Sequence, residues 1–152
     1  MSMKNVDESL LDAWLSLSTT AENIRVTAGL THNEMLVCYV LFRQIERDPE
    51  KKLTPTEIAA RTKIRKSQVN RNLNKLEDKG IITREHSKID RRRVFVRMNL
   101  DQAQMFHDEY KNLLELVNQV IDLLGAERCE QIVEDITRVV ALAEYSFPMD
   151  PE

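Results

Sequence analysis

Turn-forming residues are scarce in this sequence of 152 residues, which contains only three glycines and four prolines. Their scarcity disfavours a barrel or a sandwich, which needs many tight turns, and favours a mainly helical chain. The length suits one domain with a substantial core. Apolar residues make up 42% and charged residues 31% of the chain, close to the average of globular rather than disordered proteins.

Cysteines and long apolar runs are also scarce. Cys38 and Cys129 form no CxxC pair, so the sequence indicates neither a disulfide framework nor a thiolate metal site. Both lie in apolar helical stretches, where a small buried thiol is expected. No apolar run approaches the length of a membrane span, and the start "MSMKNVDESL" lacks the apolar centre of a signal peptide. We therefore expect a cytoplasmic protein without a membrane partner.

Charge is distributed unevenly along the chain. The net charge is −3, yet residues 61–97 carry thirteen Lys and Arg against four Asp and Glu, a local charge of +9. A basic middle between acidic flanks is typical of a chain that presents one surface to phosphates.

The first two predicted helices precede this basic segment. From Val6 to about Ala28, apolar residues recur at alternating spacings of four and three, which predicts a long amphipathic helix. Thr31 with Glu34 then forms a predicted capping box, which opens a second helix that is apolar on nearly every side. We expect this second helix to be buried.

The basic segment predicts a helix-turn-helix. Thr54 and Glu57 form a second capping box, with Pro55 at the first helical position. After a short turn, "KSQVNRNLNKL" predicts another helix, which Gly80 ends as a C-terminal cap. Two helices joined by a few residues and followed directly by strand-like sequence indicate this motif.

A hairpin and two further helices follow. "IITREH" and "RVFVRM" are strand-like and are joined by the polar "SKIDRR", which predicts a wing with a charged tip. Asp101 is the predicted cap of the next long helix, and a last helix runs from about Ala126 to Tyr145. The predicted fold is mainly α (α+β), a winged helix-turn-helix domain flanked by long terminal helices. Their apolar seams exceed what this domain needs for its own core and therefore predict partner surfaces.

The predicted second helix of the motif has a polar face suited to the DNA major groove. With Val69 at the centre of the buried face, short polar side chains and an arginine point outwards, where Arg can bond to guanine and Asn or Gln to adenine. Three asparagines in one helix cost stability without an evident structural benefit, which base recognition would explain. The predicted base contacts are Ser67, Gln68, Asn70, Arg71 and Asn74.

The wing and the turn supply the remaining predicted DNA contacts. An arginine of the wing suits a narrow minor groove, and Asp90 is predicted to hold the Arg92 side chain as an ion pair. Basic residues around the helices suit phosphates, which position a protein without specifying sequence. The predicted wing contacts are Asp90, Arg91, Arg92 and Arg93, and the predicted phosphate contacts are Lys63, Arg65, Lys66 and Arg84.

Two other interpretations compete with DNA binding. The polar face can be merely solvated, or the winged helix can serve as a protein-interaction or assembly module that does not read DNA. Such a module favours apolar anchors at the wing and the helix, where this chain has Arg, Asn and Gln. No serine-nucleophile, P-loop or dinucleotide motif appears, so we do not expect an enzyme.

The run from residue 53 to residue 100, "LTPTEIAARTKIRKSQVNRNLNKLEDKGIITREHSKIDRRRVFVRMNL", resembles the MarR family of bacterial transcription regulators. Asp90 and Arg92 stand at the family's Asp-x-Arg motif, and Gly80 stands at the glycine that closes its recognition helix. The chain departs from the family at Lys63, where Gly is frequent, and at Arg65, where a Ser or Asp cap is usual.

The resemblance implies a single MarR-like domain over 1–152, with a DNA-binding part at 31–100 and helical dimerisation parts at 1–30 and 101–152. It implies an obligate homodimer that binds double-stranded DNA at a pseudo-palindromic operator, usually as a repressor relieved by a ligand, an oxidant or a metal.

The resemblance also suggests the kind of effector. The first helix lacks the reactive cysteine of the peroxide-sensing branch, and the three histidines are dispersed, so a redox or metal effector is disfavoured. No cofactor is expected. A small organic ligand in a crevice between the dimer helices and the winged domain is the default, and its candidate contacts are Trp14, Arg25, His32 and Tyr110.

Overall fold

A computed structural model describes residues 3–23 and 29–148 of the protein. Helices dominate it, and the one sheet among the described residues has two antiparallel strands. This architecture confirms the predicted fold. The elements are α1 (Met3–Asn23), α2 (His32–Arg47), α3 (Pro55–Thr62), α4 (Lys66–Asp78), β1 (Ile82–His86), β2 (Val94–Met98), a 3-10 turn (Leu100–Gln102), α5 (Gln104–Leu124) and α6 (Ala126–Ser146).

The hydrophobic core belongs to the winged helix. Among the described residues, every buried apolar side chain lies between Leu30 and Phe106. Leu53 adds a third backbone segment to the wing sheet, because the Val96 amide donates to its carbonyl at 2.8 Å. Helix α2 buries one face in this core and leaves Tyr39 41% exposed, so the expectation of a buried helix is confirmed in part.

Local sequence sets the ends of α3 and α4. The predicted capping box is present, since Thr54 Oγ1 accepts from the Glu57 amide at 3.2 Å and Glu57 Oε2 accepts from the Thr54 amide at 2.9 Å. Lys63 adopts the left-handed conformation at φ 59° in the turn. Gly80, at φ 75°, ends α4, and the next amide, that of Ile81, donates back to the Leu76 carbonyl at 3.0 Å.

Two predicted helix caps are wrong in part. Thr31 caps α2, but Glu34 does not complete the box, because its carboxylate is buried and pairs with Lys79 Nζ at 2.5 Å. Asp101 lies in the 3-10 turn, and α5 begins at Gln104 without a side-chain cap. Asn99 explains the delay, since its side chain and amide bond to the Gly80 and Ile81 carbonyls, which forces a turn before the helix.

The terminal helices present apolar side chains to solvent in this single chain. Leu10 of α1 is 65% exposed, Val117 of α5 50% and Ile136 of α6 50%. The predicted first helix extends to residue 28, but residues 24–28 lie outside the described residues. Within the described part of the chain, no helix is both long and apolar enough to cross a membrane.

The two cysteines have different environments. Cys38 is fully buried, as predicted, and burial raises the pKa of its thiol to about 12. Cys129 is only half-buried in this chain, so the expectation of a buried thiol was wrong there. Its helix, α6, contributes no side chain to the core.

Candidate nucleic-acid interface

Helix α4 separates an apolar face from a polar face. Val69, Leu73 and Leu76 are completely buried. The opposite side carries the exposed residues Lys66, Ser67, Gln68, Arg71 and Asn74, with Asn70 half-buried beside them. The structure therefore places all five predicted base contacts off the buried face of this helix.

Asn72 has a structural role that the sequence did not reveal. It is 7% exposed, and its Nδ2 donates to the Gln68 carbonyl at 2.8 Å. The view that the three asparagines of α4 lack a structural benefit is therefore wrong for Asn72, whose amide is satisfied within the helix.

Several of the predicted DNA contacts already have partners. Arg84 of β1 donates to Glu77 at 3.0 Å and also to Asn74, both on α4. Lys63 pairs with Glu144 of α6. These bonds occupy Asn74, Arg84 and Lys63, and those of Arg84 tie β1 to α4. A cleft of about 470 Å³ separates the two elements, and its lining includes Asn70, Glu77, Arg84 and His86.

The wing is a tightly hydrogen-bonded hairpin loop. Ser87 Oγ accepts from the Ile89 and Asp90 amides, both at 3.2 Å. Asp90 Oδ1 accepts from the Arg92 amide at 3.0 Å. The predicted ion pair between Asp90 and the Arg92 side chain is therefore wrong, because the carboxylate holds the backbone instead. The role of Ser87 was missed, although a Ser at the start of a turn is a recognisable signal.

The three wing arginines have different roles. The Arg93 guanidinium lies over the Phe95 ring, 5.5 Å from its centroid. The Arg91 carbonyl contacts His86 Nδ1 at 3.0 Å, which leaves the Arg91 side chain unused. Around the start of α4 and in the wing loop, six exposed cationic groups form no side-chain hydrogen bond or salt bridge with the described residues, namely those of Arg65, Lys66, Arg71, Lys88, Arg91 and Arg92.

The three predicted ligand contacts that the structure describes, Trp14, His32 and Tyr110, share no ring contact or hydrogen bond. Tyr110 packs against Phe42 and Phe106, with ring centroids 5.4 and 5.7 Å apart, and the sequence did not indicate this aromatic group. Trp14 and His32 make no ring contact or side-chain hydrogen bond among the described residues, and Arg25 lies outside them. No group of three potential metal ligands occurs in the described part of the chain.

Comparison with known proteins adds family evidence to this geometry. The sequence profile of the MarR family matches residues 28–93, which include α2, α3, α4, β1 and the wing loop up to the start of β2. This segment of the chain is therefore similar in sequence to the MarR family. Asp90 and Arg92 lie in the wing of the structure, where the resemblance placed them.

Solved structures extend the likeness to nearly the whole chain. The PcaV transcriptional regulator from Streptomyces coelicolor, solved with its natural ligand, is 16% identical, with a TM-score of 0.72 and coverage of 95% of this chain and 98% of its own. FabT from Streptococcus pneumoniae, solved with DNA, is 20% identical, with a TM-score of 0.66 and coverage of 94% and 98%.

The transcriptional regulator BldR from Sulfolobus solfataricus is 19% identical, with a TM-score of 0.69 and coverage of 93% of this chain and 99% of its own. At these identities the likeness shows a shared fold. No curated protein matches the chain in sequence.

Proposed function

We propose that the protein is a sequence-specific DNA-binding transcriptional regulator that binds a pseudo-palindromic operator as a homodimer. One observation carries this proposal. The start of α4 and the wing loop hold six exposed cationic groups that form no hydrogen bond or salt bridge with the described residues, beside the polar side chains of Ser67 and Gln68. Cations without partners suit phosphates, and a polar helix face suits base edges.

The proposed contacts divide by position. Ser67, Gln68, Asn70 and Arg71 face the bases, with Lys66 and Arg65 near phosphates at the start of α4. Arg91 and Arg92 enter the adjacent minor groove, where a narrow groove attracts guanidinium.

The predicted DNA contacts that already have partners support this surface indirectly. Arg84 and Asn74 fix β1 against α4, Arg93 packs on Phe95, and Asp90 shapes the wing backbone. In this arrangement they set the distance between the helix and the wing. Lys63 reaches DNA only when Glu144 releases it.

Dimerisation is supported by the terminal helices. Their exposed apolar residues, such as Leu10, Val117 and Ile136, cannot all be covered within one copy, because the core of this chain is complete without them. A second copy with the same exposed faces would bury them. A monomer in sedimentation experiments at micromolar concentration would contradict this part of the proposal.

A ligand-responsive repressor is the finer form of the proposal. Solved structures of the same fold include one with a natural ligand and one with DNA. The aromatic group around Tyr110 offers ring surfaces for a small organic effector, and Trp14 and His32 remain candidate contacts. A candidate effector must release the operator in a binding assay, and a compound that binds without changing DNA affinity is not the inducer.

The DNA-binding test is selection of genomic fragments by the purified protein, followed by affinity measurements over a range of salt concentrations. We expect a palindrome with half-sites about one helical turn apart. Arg92→Ala should weaken binding and reduce the slope of log K against log salt by about one, because one fewer counterion is released. Arg71→Ala should instead broaden the sequence preference.

Arg138→Ala is the matched control, since it removes the same charge from an exposed site on α6. Its affinity and salt slope should equal those of the wild type. If no fragment is retained at any salt concentration, the winged helix serves a partner other than DNA, and the proposed function is wrong.

A further inference from the structure

The wing tip carries an aliphatic side chain that lies entirely in solvent. Ile89 is 99% exposed, more than any other large apolar residue among the described residues. The exposed apolar residues of α1, α5 and α6 lie on amphipathic faces that a second copy can cover. Ile89 does not belong to such an apolar face, because the charged residues Lys88 and Asp90 flank it in sequence.

Ile89 is presented on a fixed backbone. Its amide donates to Ser87 Oγ at 3.2 Å, and the same oxygen accepts from the Asp90 amide. Two backbone hydrogen bonds close the loop. The Ser87 amide donates to the Arg93 carbonyl at 2.8 Å, and the Arg93 amide donates to the Asp90 carbonyl at 2.9 Å. Since a β-branched side chain has few rotamers, little conformational freedom remains to be lost when Ile89 binds a partner.

The charges around Ile89 indicate what that partner is. Lys88, Arg91 and Arg92 are exposed, and their side chains form no hydrogen bond or salt bridge with the described residues. An apolar anchor of a protein interface is typically surrounded by further apolar surface, whereas this one is surrounded by cations. Apolar wedges beside basic residues are a feature of proteins that bind the DNA minor groove.

We propose that Ile89 is a DNA contact whose side chain packs against the sugars and base edges of the minor groove while the neighbouring cations neutralise the phosphates. This inference rests on the proposed function. It also predicts a preference for A·T pairs at that step, because the exocyclic amino group of guanine occupies the floor of the minor groove.

The test uses full-length protein and the operator recovered by genomic selection. Ile89→Ser should weaken binding about ten-fold at every salt concentration, with an unchanged salt slope, since an apolar contact releases no counterions. Ile89→Val should stay within about two-fold of the wild type, because it keeps a β-branched aliphatic side chain. Arg92→Ala, by contrast, should change the slope.

A base substitution provides a second readout. A G·C pair is placed at the wing-facing step of the operator, and inosine in place of its guanine then removes only the minor-groove amino group. This change should raise the affinity of the wild type more than that of Ile89→Ser, in which Arg91 and Arg92 still enter the groove, and an equal gain for both proteins would contradict the Ile89 contact. Both proteins should have the same thermal midpoint, because the substituted side chain makes no packing contacts.

The outcomes separate the two proposals. If the wild type binds the operator and Ile89→Ser binds equally well, the inference about Ile89 is wrong and the proposed function stands. An equal change in salt slope for Ile89→Ser and Arg92→Ala would also overturn it, because Ile89 would then act only on the shape of the loop. If the wild type retains no DNA at all, both proposals fail.

Discussion

Replacement of Lys79 by methionine should destabilise the protein strongly. Lys79 Nζ lies 2.5 Å from Glu34 Oε2 and donates to the Gly29 carbonyl at 3.0 Å. The Glu34 side chain is 2% exposed and that of Lys79 29%. Lys79→Met keeps most of the aliphatic stem and removes the ammonium group, so it leaves a buried carboxylate without its counterion.

The burial of Glu34 sets the size of the effect. Breaking a buried ion pair by removing one partner typically costs 3–5 kcal/mol of the free energy of unfolding. Because Lys79 is partly exposed, water can reach the Glu34 carboxylate in the variant. The cost should therefore lie at the lower end of this energy range. We expect a loss of about 3 kcal/mol. In a Glu34→Gln background, where no buried charge remains, the same substitution should cost about 1 kcal/mol.

Urea unfolding at a fixed protein concentration measures both values, and Lys75→Met is the matched control. Lys75 lies one turn earlier on α4, is exposed, and its ammonium group has no partner in the described structure. Its substitution should change the free energy of unfolding by less than about 0.5 kcal/mol. Equal effects of Lys79→Met and Lys75→Met would refute the reasoning, because the pair would then contribute no more than a solvated surface charge.

Three further predictions concern backbone strain, acid stability and thiol reactivity. Gly80→Ala should lower the free energy of unfolding by about 1–2 kcal/mol, because φ is 75° at this position. Lys63→Gly should raise the free energy of unfolding by roughly 0.5 kcal/mol, because Lys63 has a left-handed φ of 59°. Urea unfolding that gave both changes the same sign would contradict this reasoning. The Thr54 amide holds the pKa of Glu57 below its usual 4.5, so this carboxylate stabilises the fold above that pH and the stabilisation is lost as pH falls through the lowered pKa. The stability advantage of the wild type over Glu57→Gln should therefore be larger at neutral pH than in acid, and a constant difference in urea midpoint would count against it. At pH 8, iodoacetamide should label Cys129 and not Cys38, because Cys38 is buried and its pKa of about 12 keeps the thiol protonated. Mass spectrometry identifies the labelled cysteine, and rapid labelling of Cys38 in the folded protein would show that this thiol is not buried.

The periodic and capping signals predicted most of the fold. Three features follow from residues that lie close together in sequence. They are the capping box at Thr54, the end of α4 at Gly80 and the pairing of the two wing strands. The start of α5 was missed because Asn99 bonds to the carbonyls of Gly80 and Ile81, which lie far from it in sequence. Such a tertiary bond leaves no periodic signal.

The candidate interface was predictable in its residue types and less so in its contacts. Sequence spacing placed Arg71 and Gln68 correctly on the outer face of α4. It did not show that Arg84 and Asn74 bind each other, since that contact depends on how β1 approaches the helix. It also gave Arg93 no role of its own, whereas the Arg93 guanidinium lies over the Phe95 ring.

The bridge between Leu53 and Val96 has a mechanical consequence. Leu53 directly precedes the cap of α3, and its carbonyl is bonded to the middle of the second wing strand. A pivot of the wing would have to break this bond or move the start of α3 with it. Within one copy, the bridge therefore constrains the distance from α4 to the wing tip. In the proposed homodimer, an effector would then change operator affinity by changing the distance between the two copies of this unit.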